Sequence, residues 1–253
     1  ISPVMATSER TGIFVNSELR DVTLTGYGVF GSEFRGGSLG IKYADGSEFV
    51  DSTFNNLSIK LDSGGSISIN GGTLEEASLD IVGATSVLLK GVSIKESTIQ
   101  SQGQHARIEN VGFANSPLII NHEVIDLYSI NGNQEILETN ASKINLNDVT
   151  ALTVKSSAQL VQNLTVTDST ALNISPNTFP GELNITEVEQ FGTVNVRSTD
   201  LREVEGFHAT ELSITSSNLM LTKMQNVDAD AVLIKESIFA GSEVKMKAMQ
   251  NVK

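Results

Sequence analysis

The stretch Gly91-Val-Ser-Ile-Lys-Glu-Ser-Thr-Ile99 returns 140 residues later as Ala231-Val-Leu-Ile-Lys-Glu-Ser-Ile-Phe239. The offset is seven times twenty, and both copies carry apolar residues at the same positions. Self-similarity at a fixed period is typical of repeat proteins, in which each repeat packs on its neighbours. The sequence therefore predicts stacked repeats in which residues twenty apart lie above one another.

A shorter period of five residues runs through the same region. Every fifth residue from Phe14 to Ile99 gives 18 positions, of which 17 are hydrophobic, although hydrophobic residues make up 39% of the chain. Neither a helical nor a simple strand periodicity produces this pattern. Four pentads therefore make one coil. Two columns are predicted to face each other across the coil: Phe14, Phe34, Phe54, Leu74 and Ile94 on one wall, and the smaller Leu24, Ala44, Gly64 and Ala84 on the opposite wall.

The five-residue phase changes in the middle of the chain. It slips by one residue to give Ile108, Phe113 and Leu118, and no clear register is visible from Asn121 to Thr139. The original phase returns at Ile144, after which 17 of 22 positions are hydrophobic. The exceptions in this half are Gln159, Ser169, Asn184, Glu189 and Thr199.

These periods predict an all-β fold, a right-handed parallel quadrilateral β-helix with about four pentads per coil. Residues 1–253 are expected to form a single solenoid, with register breaks around 100–143. Short parallel strands would stack coil on coil at a spacing of about 4.8 Å. Apolar side chains would fill the interior.

The repeat resembles that of the pentapeptide-repeat proteins, in which a small residue stands two positions before a central apolar one. The resemblance is carried by Ser17-Glu-Leu19, Ser32-Glu-Phe34, Ser47-Glu-Phe49, Ser52-Thr-Phe54, Ala77-Ser-Leu79 and Ser97-Thr-Ile99. The family pattern has Asp or Asn just before the central residue, whereas in this chain Asp and Asn are nearly absent from that position. The resemblance implies the β-helical fold and no single activity. Some members are acidic DNA mimics that bind type II topoisomerases, and others are segments of bacterial effectors.

Composition excludes several classes of site. The chain has no Cys, which rules out disulfides, thiolate–zinc sites and a cysteine nucleophile. Its net charge is −13, so direct binding to nucleic acid or to an anionic membrane is disfavoured. No apolar run approaches the roughly 20 residues of a membrane-spanning helix. The lack of Trp and the presence of only three Tyr argue against a sugar-binding groove.

The first residue is Ile1 rather than Met, which favours a processed or excised piece of a longer protein. Together with the resemblance to effector segments, this leads us to expect a bacterial secreted or cell-surface location. A cytoplasmic location is the alternative.

The three histidines are the main candidates for site chemistry. His208 lies in the segment Asp200–Glu211, where a metal or acid–base site is conceivable, although a solvated corner is the simpler interpretation. His105 and His122 lie in the irregular stretch 101–147, which also contains Pro117 and Tyr128. This stretch is interpreted either as a functional insertion or as a plain bulge. No metal-ligand spacing supports a site, so no catalytic, cofactor-binding or metal-binding residue is assigned.

Three functions are compatible with the sequence. The first is a non-catalytic structural or protein-interaction β-helix, part of a bacterial secreted effector or surface protein. The second is an acidic DNA mimic that binds a type II topoisomerase, which requires carboxylates aligned along one face. The third is a carbohydrate-binding or carbohydrate-active β-helix. The expected partner is a protein, which includes an end-to-end or side-by-side second copy. No cofactor and no membrane span are expected.

Overall fold

The computed structural model describes residues 4–15, 18–20, 22–30, 33–35, 38–42, 46–169, 172–175, 177–179, 182–188, 190–206, 208–220 and 222–248. In these parts of the chain all regular structure is β-strand, and the strands pair in parallel. The chain divides into two compact units, Ile1–His122 and Glu123–Lys253. The predicted all-β, parallel, solenoid fold is confirmed.

The first unit contains fourteen strands and the beginning of a fifteenth. They are β1 Val4–Val15, β2 Glu18–Arg20, β3 Val22–Phe30, β4 Glu33–Arg35, β5 Ser38–Lys42, β6 Ser47–Val50, β7 Thr53–Asn55, β8 Ser58–Asp62, β9 Ser66–Asn70, β10 Thr73–Glu75, β11 Ser78–Lys90, β12 Ser93–Lys95, β13 Thr98–Glu109, β14 Gly112–Ala114 and β15 Leu118–Thr139.

Four pentads complete one coil in the middle of this unit. Ile69, Leu74, Leu79 and Ala84 are the buried centres of four successive faces, and Leu89 returns to pair with Ile69 in register. The same spacing of twenty holds from Val29 with Phe49 to Val82 with Gln102. The small Ala84 is buried half a coil from Leu74, as predicted. Gly64, predicted for the same wall, is exposed, and Ser63 is the buried residue there.

Each pentad turns two residues inward, the centre and the residue two positions before it. Where that second residue is serine, its hydroxyl links successive coils. The Ser97 hydroxyl accepts a hydrogen bond from the Ala77 backbone N–H at 3.0 Å and donates to the Lys95 carbonyl at 2.8 Å. The Ser116 hydroxyl accepts from the Ser97 N–H at 3.2 Å. We call this arrangement the serine ladder; it satisfies polar groups inside an apolar interior.

The first coil differs from the prediction. Phe14 pairs with Val29, fifteen residues away, and Phe34 pairs with Leu19 and with Phe54. The prediction that Phe14 shares a wall with Phe34 and Phe54 is therefore wrong. A coil of three pentads keeps the same five-residue phase as a coil of four, so the phase alone could not distinguish them. The side chains of Phe14 and Phe34 lie outside those that the structure describes.

The predicted slip in phase is confirmed and has a local cause. Between Val82 and Ala84 the pairing of β11 with β13 shortens from twenty residues to nineteen. Gly103 marks the shortened coil, where an added Cβ would lie 1.8 Å from the Ala84 carbonyl oxygen. Only glycine permits this close approach of two coils. Beyond it, Ile108, Phe113 and Leu118 are all buried, as predicted.

The second unit begins within β15 and continues to the end of the chain. Its further strands are β16 Lys143–Ser156, β17 Val161–Thr167, β18 Leu172–Ile174, β19 Leu183–Thr186, β20 Gln190–Arg197, β21 Leu201–Glu205, β22 His208–Thr215, β23 Asn218–Met220, β24 Lys223–Lys235, β25 Ile238–Ala240 and β26 Glu243–Ala248.

Two faces of this unit matter for the site. On the Ile144 face, Ile144, Leu164, Val194, Leu212 and Val232 stack inward. On the Val154 face the order is Val154, Ile185, Ile174, Val204 and Met224. The order along the Val154 face does not follow the chain, because β19 lies between β16 and β18.

Candidate functional site

The central stretch 101–147 is not a projecting insertion. In the first unit its residues continue β13, β14 and the start of β15. In the second unit, β15 and β16 pair from Val124 with Lys143 to Thr139 with Ser156, with one register shift between Asn131 and Glu135. Ile125, Leu127, Ile130 and Leu137 fill the interior there. The interpretation of this stretch as an insertion that projects from the scaffold is therefore wrong.

His122 is a core residue of the first unit. Its side chain is 1% exposed, and its Nε2 atom lies 2.7 Å from the hydroxyl oxygen of the buried Ser101. The ring fits where Gly103 has no side chain, since a Cβ there would lie 2.9 Å from the His122 Cε1 atom. Burial lowers the pKa of His122 from 6.5 to about 4; the charge of the neighbouring His105 lowers it further, while a backbone hydrogen bond with His105 acts in the opposite direction. The imidazole is therefore neutral near pH 7 and acts in packing.

The acid-rich segment 200–211 does not converge on one point. Glu203 and Glu205 share Lys223, whose Nζ atom lies 2.9 Å and 3.4 Å from their carboxylate oxygens. His208 lies in β22, where it pairs in register with Gln190 and Asp228. Among the described residues, no group of three His, Asp or Glu side chains is placed to hold a metal ion. The segment forms part of three faces rather than a site.

The insertion lies further along, in the second unit. The Ile144 face advances by thirty residues from Leu164 to Val194, whereas neighbouring coils advance by about twenty. The segment that contains these ten additional residues comprises β18, the connection 175–182 and β19. Both strands join the Val154 face. The sequence pattern does not reveal this insertion, because ten additional residues leave the five-residue phase of the apolar positions unchanged.

Polar side chains on the outer side of this face are covered by the connection. Asn173 and Asn184 are 0% and 2% exposed, although both alternate with the inward residues of their strands. The Asn173 amide donates to the Glu182 carboxylate at 2.7 Å. The outer column continues through Thr153, whose hydroxyl accepts from Asn184 at 3.4 Å. These contacts attach the connection to the face.

Asn184 holds the connection with both ends of its amide. Its Nδ2 group donates to the carbonyls of Phe179 and Glu182, each at 3.0 Å. Its Oδ1 atom accepts the Phe179 backbone N–H at 2.9 Å. We call this set of bonds the Asn184 clasp. In the sequence Asn184 occupies a pentad centre where an apolar residue is expected, and this exception was the available signal for the insertion.

A second polar contact closes the other side of the connection. The Ser175 hydroxyl lies 3.4 Å from a Glu203 carboxylate oxygen and 3.2 Å from the Asn177 carbonyl. Glu203 is in turn neutralised by Lys223. These amide, hydroxyl and carboxylate contacts fix the connection to the face.

The two most exposed large apolar side chains described in the second unit, Ile238 and Phe239, lie in its last described coil. Phe239 pairs in register with Leu219, which is fully buried, yet Phe239 is 47% exposed. Ile238 and Leu233 nearby are 62% and 40% exposed. In the matching stretch of the first unit, Ile99 is 1% exposed because the next strand covers it and the Pro117 carbonyl accepts its N–H at 3.1 Å.

Carboxylates on the outer surface stack on polar or basic neighbours. Glu75 lies between Asn55 and Lys95 in register, and the hydrogen bond from Lys95 at 2.7 Å lowers the pKa of Glu75. In the second unit, Asn145 donates to Asp126 at 2.7 Å. Negative charge is thus interleaved with donors along these columns.

The chain has no match among protein-family models and no significant match among curated proteins or solved structures. Among the described residues, no helix has the length and apolarity needed to span a membrane. The resemblance to pentapeptide-repeat proteins therefore rests on the sequence pattern.

Proposed function

We propose that this protein is a non-catalytic structural and protein-interaction β-helix, part of a bacterial secreted effector or surface protein. The proposal is supported by the solenoid fold and by polar clusters that attach a connection to the stack. The pentapeptide-repeat resemblance supports the effector or surface assignment. The partner in this proposal is a polypeptide that adds a β-strand.

The observation that carries the proposal is the exposure of Phe239. The stretch 231–239 repeats 91–99, and in the first unit that stretch is covered by β14 and the residues that follow it. Strand addition to an exposed edge supplies backbone hydrogen bonds, with side-chain contacts giving specificity. A strand with an aliphatic residue above Phe239, supplied by a partner or by a further segment of the same protein, would complete the coil as Leu118 completes it above Ile99.

A labelled peptide of residues 112–120 tests this proposal, because it is the covering strand of the repeated stretch. Its fluorescence anisotropy is measured against the whole chain and against Phe239→Glu. The matched control is Val82→Glu, since Val82 is 39% exposed on the first unit. Binding to the wild type and to Val82→Glu, with loss in Phe239→Glu, is expected.

Equal anisotropy with all three proteins would contradict strand addition at this coil. Turnover of any substrate by the purified chain, abolished by a point mutation, would contradict the non-catalytic assignment.

A further inference from the structure

The strand β19 follows β18 in the chain but precedes it in the stack. On the Val154 face, Ile185 pairs with Val154 on one side and with Ile174 on the other. On the Ile144 face the corresponding coils pair directly, Leu164 with Val194. The Val154 face therefore contains one additional layer, which we call the inserted strand, Leu183–Thr186.

The attachment of the inserted strand is unusually short. The connection 175–182 has eight residues and joins two adjacent parallel strands. Parallel neighbours ordinarily need a crossover of roughly a dozen residues or more. The strands that it joins have only three and four residues. Few ladder hydrogen bonds hold the inserted strand. The Asn184 clasp fixes the connection, and Asn184 also contacts Thr153 at 3.4 Å and Asn173 at 3.3 Å in the neighbouring strands.

The face has a second register available without the inserted strand. Val154 and Ile174 are twenty residues apart, the same spacing that pairs Ile144 with Leu164 and Val204 with Met224. Removal of the inserted strand would allow β18 to pair directly with β16 in that register. Inward residues would still meet inward residues, because the spacing is even.

We propose that the inserted strand is a removable layer, and that the protein exchanges between the observed state and a minor state in which β16 pairs with β18. The observed state predominates because Leu183 and Ile185 are buried and two strand contacts are made instead of one. The minor state releases an apolar strand. This inference is independent of the proposed binding of a partner at Phe239.

Engineered cysteine pairs distinguish the two states, since the chain contains no natural Cys. Lys155 and Thr186 are register partners in the observed state, so Lys155→Cys with Thr186→Cys reports the inserted strand in place. Thr153 and Asn173 are separated by Asn184. Two strand spacings of about 4.8 Å exceed the Cα separation of about 7 Å that a disulfide tolerates. Thr153→Cys with Asn173→Cys therefore closes only in the minor state.

The matched control is Asn173→Cys with Lys223→Cys. These positions are also two layers apart, with Glu203 of β21 between them, and the control shares the loss of Asn173. All pairs are oxidised under native conditions, and disulfide formation is followed by mass spectrometry. Asn184→Ala is added to the Thr153–Asn173 pair to remove the clasp.

We expect the cysteine pair at Lys155 and Thr186 to form its disulfide completely. The pair at Thr153 and Asn173 should form its disulfide slowly, but much faster than the control pair. Asn184→Ala should accelerate that closure about three- to tenfold, the effect of removing roughly one net hydrogen bond. Closure of the Thr153–Asn173 pair no faster than the control would overturn the inference. So would failure of the Lys155–Thr186 pair, because the inserted strand would then not lie where the structure places it.

Discussion

The Nε2 atom of His122 lies 2.7 Å from the hydroxyl oxygen of Ser101, and both side chains are buried inside the first unit. This pair resembles a serine–histidine dyad in distance alone. No substrate can reach it without opening the coil. The pair therefore affects stability, because the buried imidazole does not bind a proton that the same residue binds in the unfolded chain.

Stability of the first unit should depend on pH through His122. Its pKa falls from 6.5 to about 4 in the folded state, so the unfolded chain binds a proton in this interval that the folded chain does not. The free energy of unfolding should fall as pH is lowered from 6.5 towards 4, by about 3 kcal/mol when complete. Urea unfolding measured across this range checks the result.

His122→Gln separates this effect from that of the carboxylates. Glutamine can still hydrogen-bond to Ser101 but does not titrate, so the decline between pH 6.5 and 4 should become shallower by that amount. His105→Gln, on the less buried neighbour, should retain most of the decline. Identical pH profiles for His122→Gln and the wild type would contradict this account.

Phe54→Ala should destabilise the first unit by about 3–5 kcal/mol, because adjoining coils hold the backbone and leave a cavity. Phe54 is 1% exposed and meets the Phe49 ring edge-on, with the ring centres 5.7 Å apart. Phe239→Ala is the control, with an expected loss of about 1 kcal/mol or less because the side chain is half exposed. Chemical denaturation measures both losses, and similar values would count against this packing.

Gly72→Ala should cost about 3 kcal/mol or more. Gly72 has a φ of +83°, and an added Cβ would lie 2.0 Å from the Ser52 carbonyl oxygen in the coil below. Gly46→Ala is the control, because Gly46 also has a positive φ, of +71°, but no described atom within 4 Å of the added Cβ. It should lose about 1–2 kcal/mol, from backbone strain alone. Thermal unfolding of the two variants gives the comparison.

Asn184→Ala should destabilise the second unit by about 2–3 kcal/mol, since it removes the clasp on the connection together with the contacts to Thr153 and Asn173. Limited proteolysis should then cut within 175–182. Asn147→Ala is the matched control. It removes a 2.7 Å bond to Thr167 on a partly buried surface and should cost about 1 kcal/mol or less. Protection of 175–182 in Asn184→Ala would show that the clasp does not hold the connection.

The fold was predictable because it requires an inward side chain at every fifth residue, and this requirement appears in the sequence as a five-residue period of apolar residues. Ile69, Leu74, Leu79 and Ala84 follow it face by face. The length of each coil was less predictable. Phe14 pairs fifteen residues away and Leu164 thirty residues away, and both numbers are multiples of five. Any such change leaves the apolar phase intact, so periodicity cannot report it.

The polar site was harder to predict for a related reason. Asn184 interrupts the apolar series, and in isolation such an interruption is also met at Ser169 and Thr199. Those two side chains are buried within coils, whereas Asn184 lies on the outer side under a connection. The distinction depends on which layer the strand joins, and that is decided by contacts between coils rather than by local sequence.

The hydrogen bonds of the serine ladder that join coils all run in one direction along the stack, from each coil to the next one in the sequence. The Ala77 N–H is satisfied by Ser97, and the Ser97 N–H by Ser116, so each coil receives its acceptor from the coil that follows it. A ribosome delivers residues in the same order. A newly made coil therefore stays incomplete until about one more coil has emerged, and folding during synthesis should trail the growing chain by one repeat.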